Sequence, residues 1–329
     1  MRTKPITEKP ETTNKKDKVG RAADSYVSAF WNQMRNISTP EIRNALSEGV
    51  DADGGFLVPE TFEKNLVSDA NETLFLRKLA NVKTLGAGVH NIPVVATRGA
   101  ASWVGENNPI PETQDTFGQK HLNAHKLSAL IKVSEELVND SAFDLEQYFR
   151  TEFAYKMALA EEDAFINGNG DGKPYGLLHD TEGGEVGVTS AAATAITADE
   201  LINLYHSLRS GYRANAVWLM NDSTVNAVRL LKDENGQYIW QAGLKDGEPD
   251  RLLGKPVYSS IYVPEIAAGN KTVLFGNFKN YWIGDRAGIN FRRLNELYAA
   301  NGQVGFMATK RVDARLVIPE SVKILKQKA

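Results

Sequence analysis

Two apolar runs in the first half of the chain predict a pair of extended strands joined by a long polar connection. Their members are Val89, Ile92, Val94 and Val95 in the first run, and Leu122, Leu127, Leu130, Ile131 and Val133 in the second. Residues 97–119, between the runs, are rich in Gly, Pro and polar residues. Because an isolated two-stranded hairpin is marginally stable in water, the pattern predicts a ribbon within residues 81–132 whose packing partner is another protein molecule.

The apolar spacing also predicts a long helix over residues 145–167. Asp144 is a good N-cap with Gln147 three residues later, and Asn167 and Gly168 supply a stop signal. At about 1.5 Å of rise per residue such a helix is roughly 35 Å long. We expect it to form a spine against which strands pack.

Helical spacing recurs nearer the start of the chain. Residues 22–36 predict a short amphipathic helix, which we expect to lie outside the core. The apolar segment Phe56-Leu-Val-Pro59 follows a flexible Asp/Gly-rich turn, and we expect the globular structure to begin there. Residues 60–79 predict a further helix that leads into the ribbon.

After a predicted linker at residues 181–194, helix and strand patterns alternate. Thr197 is the predicted cap of a helix over residues 198–210, and Asp222 is predicted to open another that ends at Leu231. The predicted strands cover residues 217–220, 257–258, 272–275, 281–283, 289–294, 303–311 and 316–318. The fold class is therefore α+β, with one compact insert at about residues 191–275.

Composition narrows the class of protein further. The 329 residues, 42% of them hydrophobic, suffice for about two domains with ordinary cores. We expect no membrane segment, because no apolar run approaches about 20 residues, and residues 1–20 are too polar for a secretory signal. The absence of cysteine excludes disulfides and thiolate metal sites.

Charge is unevenly distributed along the chain. The formal net charge is −3, but residues 1–21 contain seven basic and three acidic residues. We interpret this basic, Pro/Thr-rich start as a solvated tail rather than a nucleic-acid-binding arm. The rest of the chain lacks a concentrated Lys/Arg segment or a recognised DNA-binding motif.

Two segments resemble ligand-binding motifs, but each lacks a residue or a structural context that its motif requires. The glycine-rich segment 168–173 follows a helix, whereas a phosphate loop follows a strand, and Pro174 stands where that loop needs Ser or Thr. The same segment resembles the start of a calcium loop, but its twelfth position is Leu178 rather than Glu. His121 and His125 lie on a predicted strand with no third metal ligand nearby.

The acidic run Glu161-Glu162-Asp163 has no accompanying base, nucleophile or oxyanion signature. We interpret it as a solvated helix face. The sequence therefore predicts no catalytic residue, cofactor or metal.

Several short motifs occur in an order that identifies a family. They are Leu46-Ser-Glu-Gly49, Asp51-Ala-Asp-Gly-Gly-Phe-Leu-Val-Pro59, Ala101-Ser-Trp-Val-Gly-Glu106, Phe143-Asp-Leu-Glu146, Asp163-Ala-Phe-Ile-Asn-Gly168, Gly172-Lys-Pro-Tyr-Gly176, Val217-Trp-Leu-Met-Asn-Asp222, Leu253-Gly-Lys-Pro-Val257 and Leu274-Phe-Gly-Asn277. Together they resemble the tailed-phage major capsid proteins with the Hong Kong 97-type fold, over roughly residues 40–325.

That resemblance implies a domain organisation. Residues 1–58 would be an N-terminal arm, 84–128 an extended β-ribbon loop, and 191–275 an axial domain. Residues 59–83, 129–190 and 276–329 would form a peripheral domain that contains the spine helix. In such shells the arm and extended loop lie over neighbouring subunits, and axial domains meet around the centres of pentamers and hexamers.

The resemblance also implies partners and a location. Copies of the chain would form pentamers and hexamers and then an icosahedral shell around double-stranded DNA, bound without sequence specificity. A scaffold, a portal and a maturation protease would take part in assembly, which would occur in the bacterial host cytoplasm and leave the protein in the virion. The roughly forty residues before Asn44 are too few for a fused helical scaffolding segment, so a separate scaffold or a processed chain is expected.

Three positions carry site predictions. We expect Trp103, in the Gly-rich ribbon tip, to contact a neighbouring subunit, with local packing under the loop as the alternative. Some family members crosslink a loop lysine to a peripheral-domain asparagine beside an acidic catalyst. Lys120 and Asp313 match two of those roles, but Phe306 stands near the expected asparagine, so the sequence argues against crosslinking.

Two other functions stay open at this point. An encapsulin-like compartment resembles the same fold but packages protein cargo instead of DNA. A nucleotide-using enzyme is the third hypothesis, and Pro174 argues against it.

Overall fold

The computed structural model describes residues 20–46, 56–73, 75–86, 90–97, 116–139, 144–232 and 250–329. Its α-helices are α1 (Asp24–Met34), α2 (Pro40–Leu46), α3 (Glu60–Thr73), α4 (Phe75–Leu79), α5 (Glu135–Asn139), α6 (Leu145–Asn167), α7 (Ala198–Ser207), α8 (Ser210–Arg213) and α9 (Asp222–Arg229). Its strands are β1 (Phe56–Leu57), β2 (Asn81–Leu85), β3 (His90–Thr97), β4 (Thr116–Leu122), β5 (His125–Ser134), β6 (Glu185–Thr189), β7 (Val217–Met220), β8 (Arg251–Leu252), β9 (Lys255–Ser259), β10 (Lys271–Gly276), β11 (Tyr281–Leu294), β12 (Gln303–Leu316) and β13 (Val322–Lys326). This mixture of helices and largely antiparallel sheets is the predicted α+β class.

The first sheet is built on two 14-residue antiparallel strands, β11 and β12. Its strand order is β1-β11-β12-β5, and β2 pairs with β11 in parallel. Successive residues of β12 alternate between a buried face, which includes Phe306, and a more exposed face, which includes Arg311. That alternation is the period-2 pattern of a half-buried strand.

The second apolar run of the sequence divides between two sheets, which corrects the prediction of one continuous ribbon strand. Residues 116–122 pair with β3 in a separate two-stranded ribbon, whereas residues 125–134 pair with β12. Strand β4 ends just before Asn123. The backbone N–H of Asn123 donates to the Asp313 carboxylate and not to a neighbouring strand. The ribbon is therefore shorter than the sequence pattern suggested.

Helix α6 is the long helix predicted from the sequence, with the same bounds. The Asp144 side chain accepts a hydrogen bond from the Gln147 N–H at 3.0 Å, as expected of an N-cap. Phe149 and Phe153 face the sheet, and the ring centroid of Phe149 lies 4.4 Å from that of Phe306. The helix and the sheet enclose one hydrophobic core.

Helix α1 is part of this core, so the prediction that it lies outside was wrong. Phe30 and Met34 are fully buried, and the ring centroids of Phe30 and Phe291 are 6.0 Å apart. The Tyr26 hydroxyl donates to the Leu57 carbonyl at 2.8 Å. The apolar face of α1 therefore packs on the first sheet, and the globular structure includes residues well before Phe56.

The second sheet has six strands in the order β6-β13-β10-β7-β9-β8. The predicted cap Thr197 accepts from the Glu200 N–H, and the Glu200 carboxylate accepts from the Thr197 N–H, which is a complete capping box at the start of α7. Strand β6 occupies part of the predicted linker, and β13 was not predicted. Both strands lie outside residues 191–275. The sheet of the predicted insert therefore also contains strands from the chain before and after the insert.

The ribbon β3–β4 is a sheet of its own, and among the described residues it pairs with no third strand. Its register runs from His90↔Leu122 at the root to Thr97↔Thr116 at the far end. Seven residues of β4 correspond to roughly 20 Å at about 3.3 Å per residue. Among the helices of the described ranges, none has the length and apolar character needed to cross a membrane.

Candidate functional site

The ribbon joins the body through a small apolar cluster, which we call the ribbon root. It consists of four buried side chains, Leu85, Ile92, Leu122 and Val317. Two of them belong to the ribbon, one to β2 and one to the segment after β12. A cluster of this size can fix the base of a hairpin but cannot cover its whole length.

Charged side chains next to the ribbon root connect the ribbon to the body. Lys120 Nζ, on β4, donates to Glu182 Oε2 at 2.8 Å and to the Leu316 carbonyl at 3.2 Å. Arg315 Nε lies 3.2 Å from the same Glu182 oxygen, and Arg315 Nη1 donates to the His121 carbonyl. Burial opposes ionisation of Glu182, but Lys120 and Arg315 outweigh it and lower its pKa. The contact therefore holds the ribbon to the body as an ion pair.

Asp313, on β12, contacts the chain where β4 ends and β5 begins. Its carboxylate accepts from the backbone N–H groups of Asn123 and Ala314, and His125 Nε2 lies 3.6 Å away. Burial raises the pKa of Asp313, although these hydrogen bonds and the neighbouring positive charge oppose the rise. The residue fixes the bend between β4 and β5.

The structure thus brings Lys120 and Asp313 to the same region but gives both of them contacts within the subunit. Phe306, which has no side-chain amide, is fully buried against Phe149. The prediction from the sequence is that the chain does not crosslink through these positions, and it stays untested. Trp103 lies outside the described residues, and its contact with a neighbour also remains a prediction.

A second charged cluster lies beneath the first sheet, and sequence reasoning missed it. Arg77 Nε, on α4, donates to Glu161 at 2.7 Å, and the two terminal nitrogens of Arg77 donate to Asp285 at 2.7 and 2.9 Å. Lys310 Nζ, on β12, lies 2.9 Å from Glu161 and 3.1 Å from Asp285. We call these four residues the buried ion cluster.

The buried ion cluster corrects the interpretation of the acidic run as a solvated helix face. Glu161 is only 3% exposed, because two cations from distant parts of the chain neutralise its carboxylate. Burial opposes ionisation of Asp285, but Arg77 and Lys310 outweigh it and lower the pKa of Asp285 to about 2. Burial alone would lower the pKa of Arg77, but the two carboxylates raise it. The cluster therefore joins α4, α6, β11 and β12 with fully formed charge-assisted bonds.

The next residue of the run, Glu162, faces the second sheet and is also buried. The Ser260 hydroxyl donates to Glu162 Oε1 at 2.8 Å. Burial raises the pKa of Glu162, and the Ser260 hydrogen bond offsets part of that rise. At the end of α6, Asn167 Nδ2 donates to Asp163 and to the Tyr262 carbonyl. The spine helix thus contacts both sheets through consecutive acidic residues.

These arrangements hold elements of the fold together. Within the described ranges, no group of three or more His, Asp or Glu side chains is placed to hold a metal ion. After the Gly168–Lys173 segment the chain folds back on its own helix, where the Leu177 N–H donates to the Phe165 carbonyl at 2.8 Å. That contact fits the helix-stop interpretation of the segment.

Comparison with known proteins decides the family. The family described as the phage capsid family matches residues 54–327. This chain belongs to the phage capsid family. A solved structure described as the capsid of an empty GTA particle is 34% identical, covers 78% of this chain and 90% of its own, and superposes with a TM-score of 0.68.

Curated relatives in the phage capsid family are more distant. The major capsid protein of Enterobacteria phage HK97 is 22% identical over 260 residues, which is 78% of this chain and 65% of that protein. The major capsid protein of Escherichia phage T5 is 25% identical over 267 residues, which is 77% of this chain and 58% of that protein. This chain therefore spans about three fifths of the length of these relatives. Its fold is the Hong Kong 97-type α+β fold, as the resemblance implied.

Proposed function

We propose that the chain is a major capsid protein, whose copies self-assemble into pentamers and hexamers and then into an icosahedral shell around double-stranded DNA. The observation that carries the proposal is the two-stranded ribbon, whose described residues pack on the body at the ribbon root and pair with no third described strand. Membership of the phage capsid family supports it independently. A ribbon of this kind gains stability when its length packs on another subunit.

The physics of assembly lies in heterologous contacts, because a surface that contacts a different surface of the next copy generates rings when the rotation closes. The ribbon root and the buried ion cluster contribute by fixing the directions of the ribbon and the spine helix. Each contact between copies can then be modest, because closure of the shell forms many of them together.

The proposal extends to domains, partners and location. Residues 1–58 serve as an arm, 84–128 as the extended loop and 191–275 as the axial domain, with the remainder as the peripheral domain. A scaffold, a portal and a maturation protease act during assembly in the host cytoplasm, and DNA is packaged without sequence specificity. The protein acts as a structural component of the virion, and no catalytic step is assigned to it.

The test is expression of the chain, followed by sedimentation and negative-stain electron microscopy. We expect closed shells, or rings of five and six subunits that close when a scaffold is supplied. A matched variant, in which residues 98–115 are replaced by a short Gly-rich turn, should unfold at the same temperature as the wild type but form no shells. Wild-type protein that stays monomeric with scaffold and under crowding would overturn the proposal.

A further inference from the structure

A tight turn of the body, residues 179–183, carries the carboxylate that pairs with the ribbon, and we call it the anchoring turn. Its Glu182 accepts from Lys120 Nζ at 2.8 Å, and Lys120 lies on ribbon strand β4. The Gly183 N–H donates to the His179 carbonyl at 3.1 Å and closes the turn. A Cβ on Gly183 would lie 2.5 Å from that carbonyl oxygen, so the close packing of the turn requires glycine there.

One imidazole nitrogen holds the anchoring turn together from its inner side. His179 Nδ1 accepts from the Glu182 N–H at 3.1 Å and from the Thr181 N–H at 3.3 Å. A ring nitrogen accepts a hydrogen bond only when it carries no proton, so these contacts require a neutral imidazole with its proton on Nε2. Protonation of Nδ1 removes the acceptor and directs an N–H group at two other N–H groups.

The charged and titratable groups around His179 come from its own turn and from neighbouring elements. They are Asp180 and Glu182 of the turn, Tyr175 before it, Lys120 of β4, Lys271 of β10, Arg315 of β12 and Lys326 of β13. Each of the two carboxylates is already paired with a lysine, Asp180 with Lys271 at 2.8 Å and Glu182 with Lys120. His179 therefore contributes an acceptor nitrogen to the turn and not a charge.

The ribbon depends on the anchoring turn for the ion pair at its root. Glu182 receives Lys120 from the ribbon and Arg315 from β12, so the position of its carboxylate fixes both cations. Hydrogen bonds weaken steeply as their length and angle depart from the preferred values. Displacement of Glu182 leaves Lys120 with the Leu316 carbonyl alone, and the small apolar cluster of the ribbon root then holds the ribbon with less support.

We propose that His179 is a pH-sensitive switch on the ribbon, which docks the ribbon root when the imidazole is neutral and releases it when the imidazole is protonated. Histidine is the side chain whose charge ordinarily changes between about pH 5 and 8. Because the docked turn accepts only the neutral form, docking is strongest at the upper end of that range and weakens as the pH falls. The inference concerns the ribbon of a single subunit, so it goes beyond the proposed function and does not depend on it.

Hydrogen–deuterium exchange of the unassembled subunit at pH 7.5 and pH 5.0, corrected for the intrinsic pH dependence of amide exchange, tests the inference. Amides of β3 and β4 should exchange about fivefold faster at pH 5.0, whereas those of β11 should not change. His179→Asn places an amide oxygen at the δ1 position and takes up no proton, so its ribbon should exchange slowly at both pH values. His179→Phe removes the acceptor, and its ribbon should exchange fast at both.

Two other histidine variants serve as controls. His206→Asn changes an exposed histidine on α7 and should keep the pH response of the ribbon. His125→Asn should also keep it, although His125 Nε2 lies 3.6 Å from Asp313 at the bend between β4 and β5. Ribbon exchange that is independent of pH in the wild type, or a pH response that persists in His179→Asn, would overturn the inference. A response of equal size in β11 would overturn it too, because the subunit would then loosen as a whole.

Discussion

Substitution of Arg77 by methionine gives the sharpest prediction about what holds the subunit together. The Arg77 side chain is 4% exposed and forms three hydrogen bonds to two carboxylates, at 2.7, 2.7 and 2.9 Å. Arg77→Met preserves much of the side-chain volume but leaves Glu161 and Asp285 to share Lys310 alone. Removal of one partner leaves a buried carboxylate charge without full compensation. We therefore expect a loss of about 3–5 kcal/mol in the free energy of unfolding.

Urea unfolding of the unassembled subunit, followed by far-UV circular dichroism, measures this loss. Lys64→Met is the control, because Lys64 and Glu60 form an exposed pair at 3.8 Å, and it should cost at most about 1 kcal/mol. Arg77→Met combined with Glu161→Gln should be less destabilised than the sum of the two single variants, because the double variant no longer buries an unpaired carboxylate. If Arg77→Met cost no more than the control, the argument for the buried ion cluster would be refuted.

Three further outcomes follow from the contacts. Because the folded pKa of Asp285, about 2, lies below its ordinary value of 3.8, ionisation of Asp285 contributes about 2 kcal/mol of stability above pH 4, which is lost as the pH falls through about 2. Unfolding of the wild type and Asp285→Asn between pH 6 and about pH 1.5 should show the difference in unfolding free energy shrink steadily and nearly disappear at the lowest pH. Lys120→Met should cost about 1 kcal/mol by removing one of the two cations that contact Glu182, and hydrogen exchange should rise in β3 and β4 while β11 is unchanged. Ser260→Ala should cost about 1–2 kcal/mol by removing the donor to buried Glu162, whereas an unchanged melting temperature would rule out that role.

The sequence predicted those features of the fold that depend on residues close together in the chain. Helix α6 was found with its bounds because Asp144 and Gly168 mark its two ends. The buried half of helix α1 was missed because helical spacing shows which residues share a face, but not which element covers that face. Phe30 contacts Phe291, and a local sequence pattern does not predict a contact between residues so far apart in the chain.

The same limit explains the buried ion cluster. Glu161 is separated from Arg77 by 84 residues and from Lys310 by 149. An acidic run on a helix is usually solvated, and only the tertiary fold brings the two cations to it. The ribbon was recognised because its two apolar runs are local, but its division at Asn123 depends on Asp313, which lies 190 residues further along.

Cryo-electron microscopy of the assembled protein tests the central claim most directly. The account predicts closed shells built from rings of five and six subunits, with the ribbon of each subunit lying across its neighbour. Particles in which each ribbon packs only on its own subunit, or a protein that stays monomeric when scaffold is supplied, would contradict it.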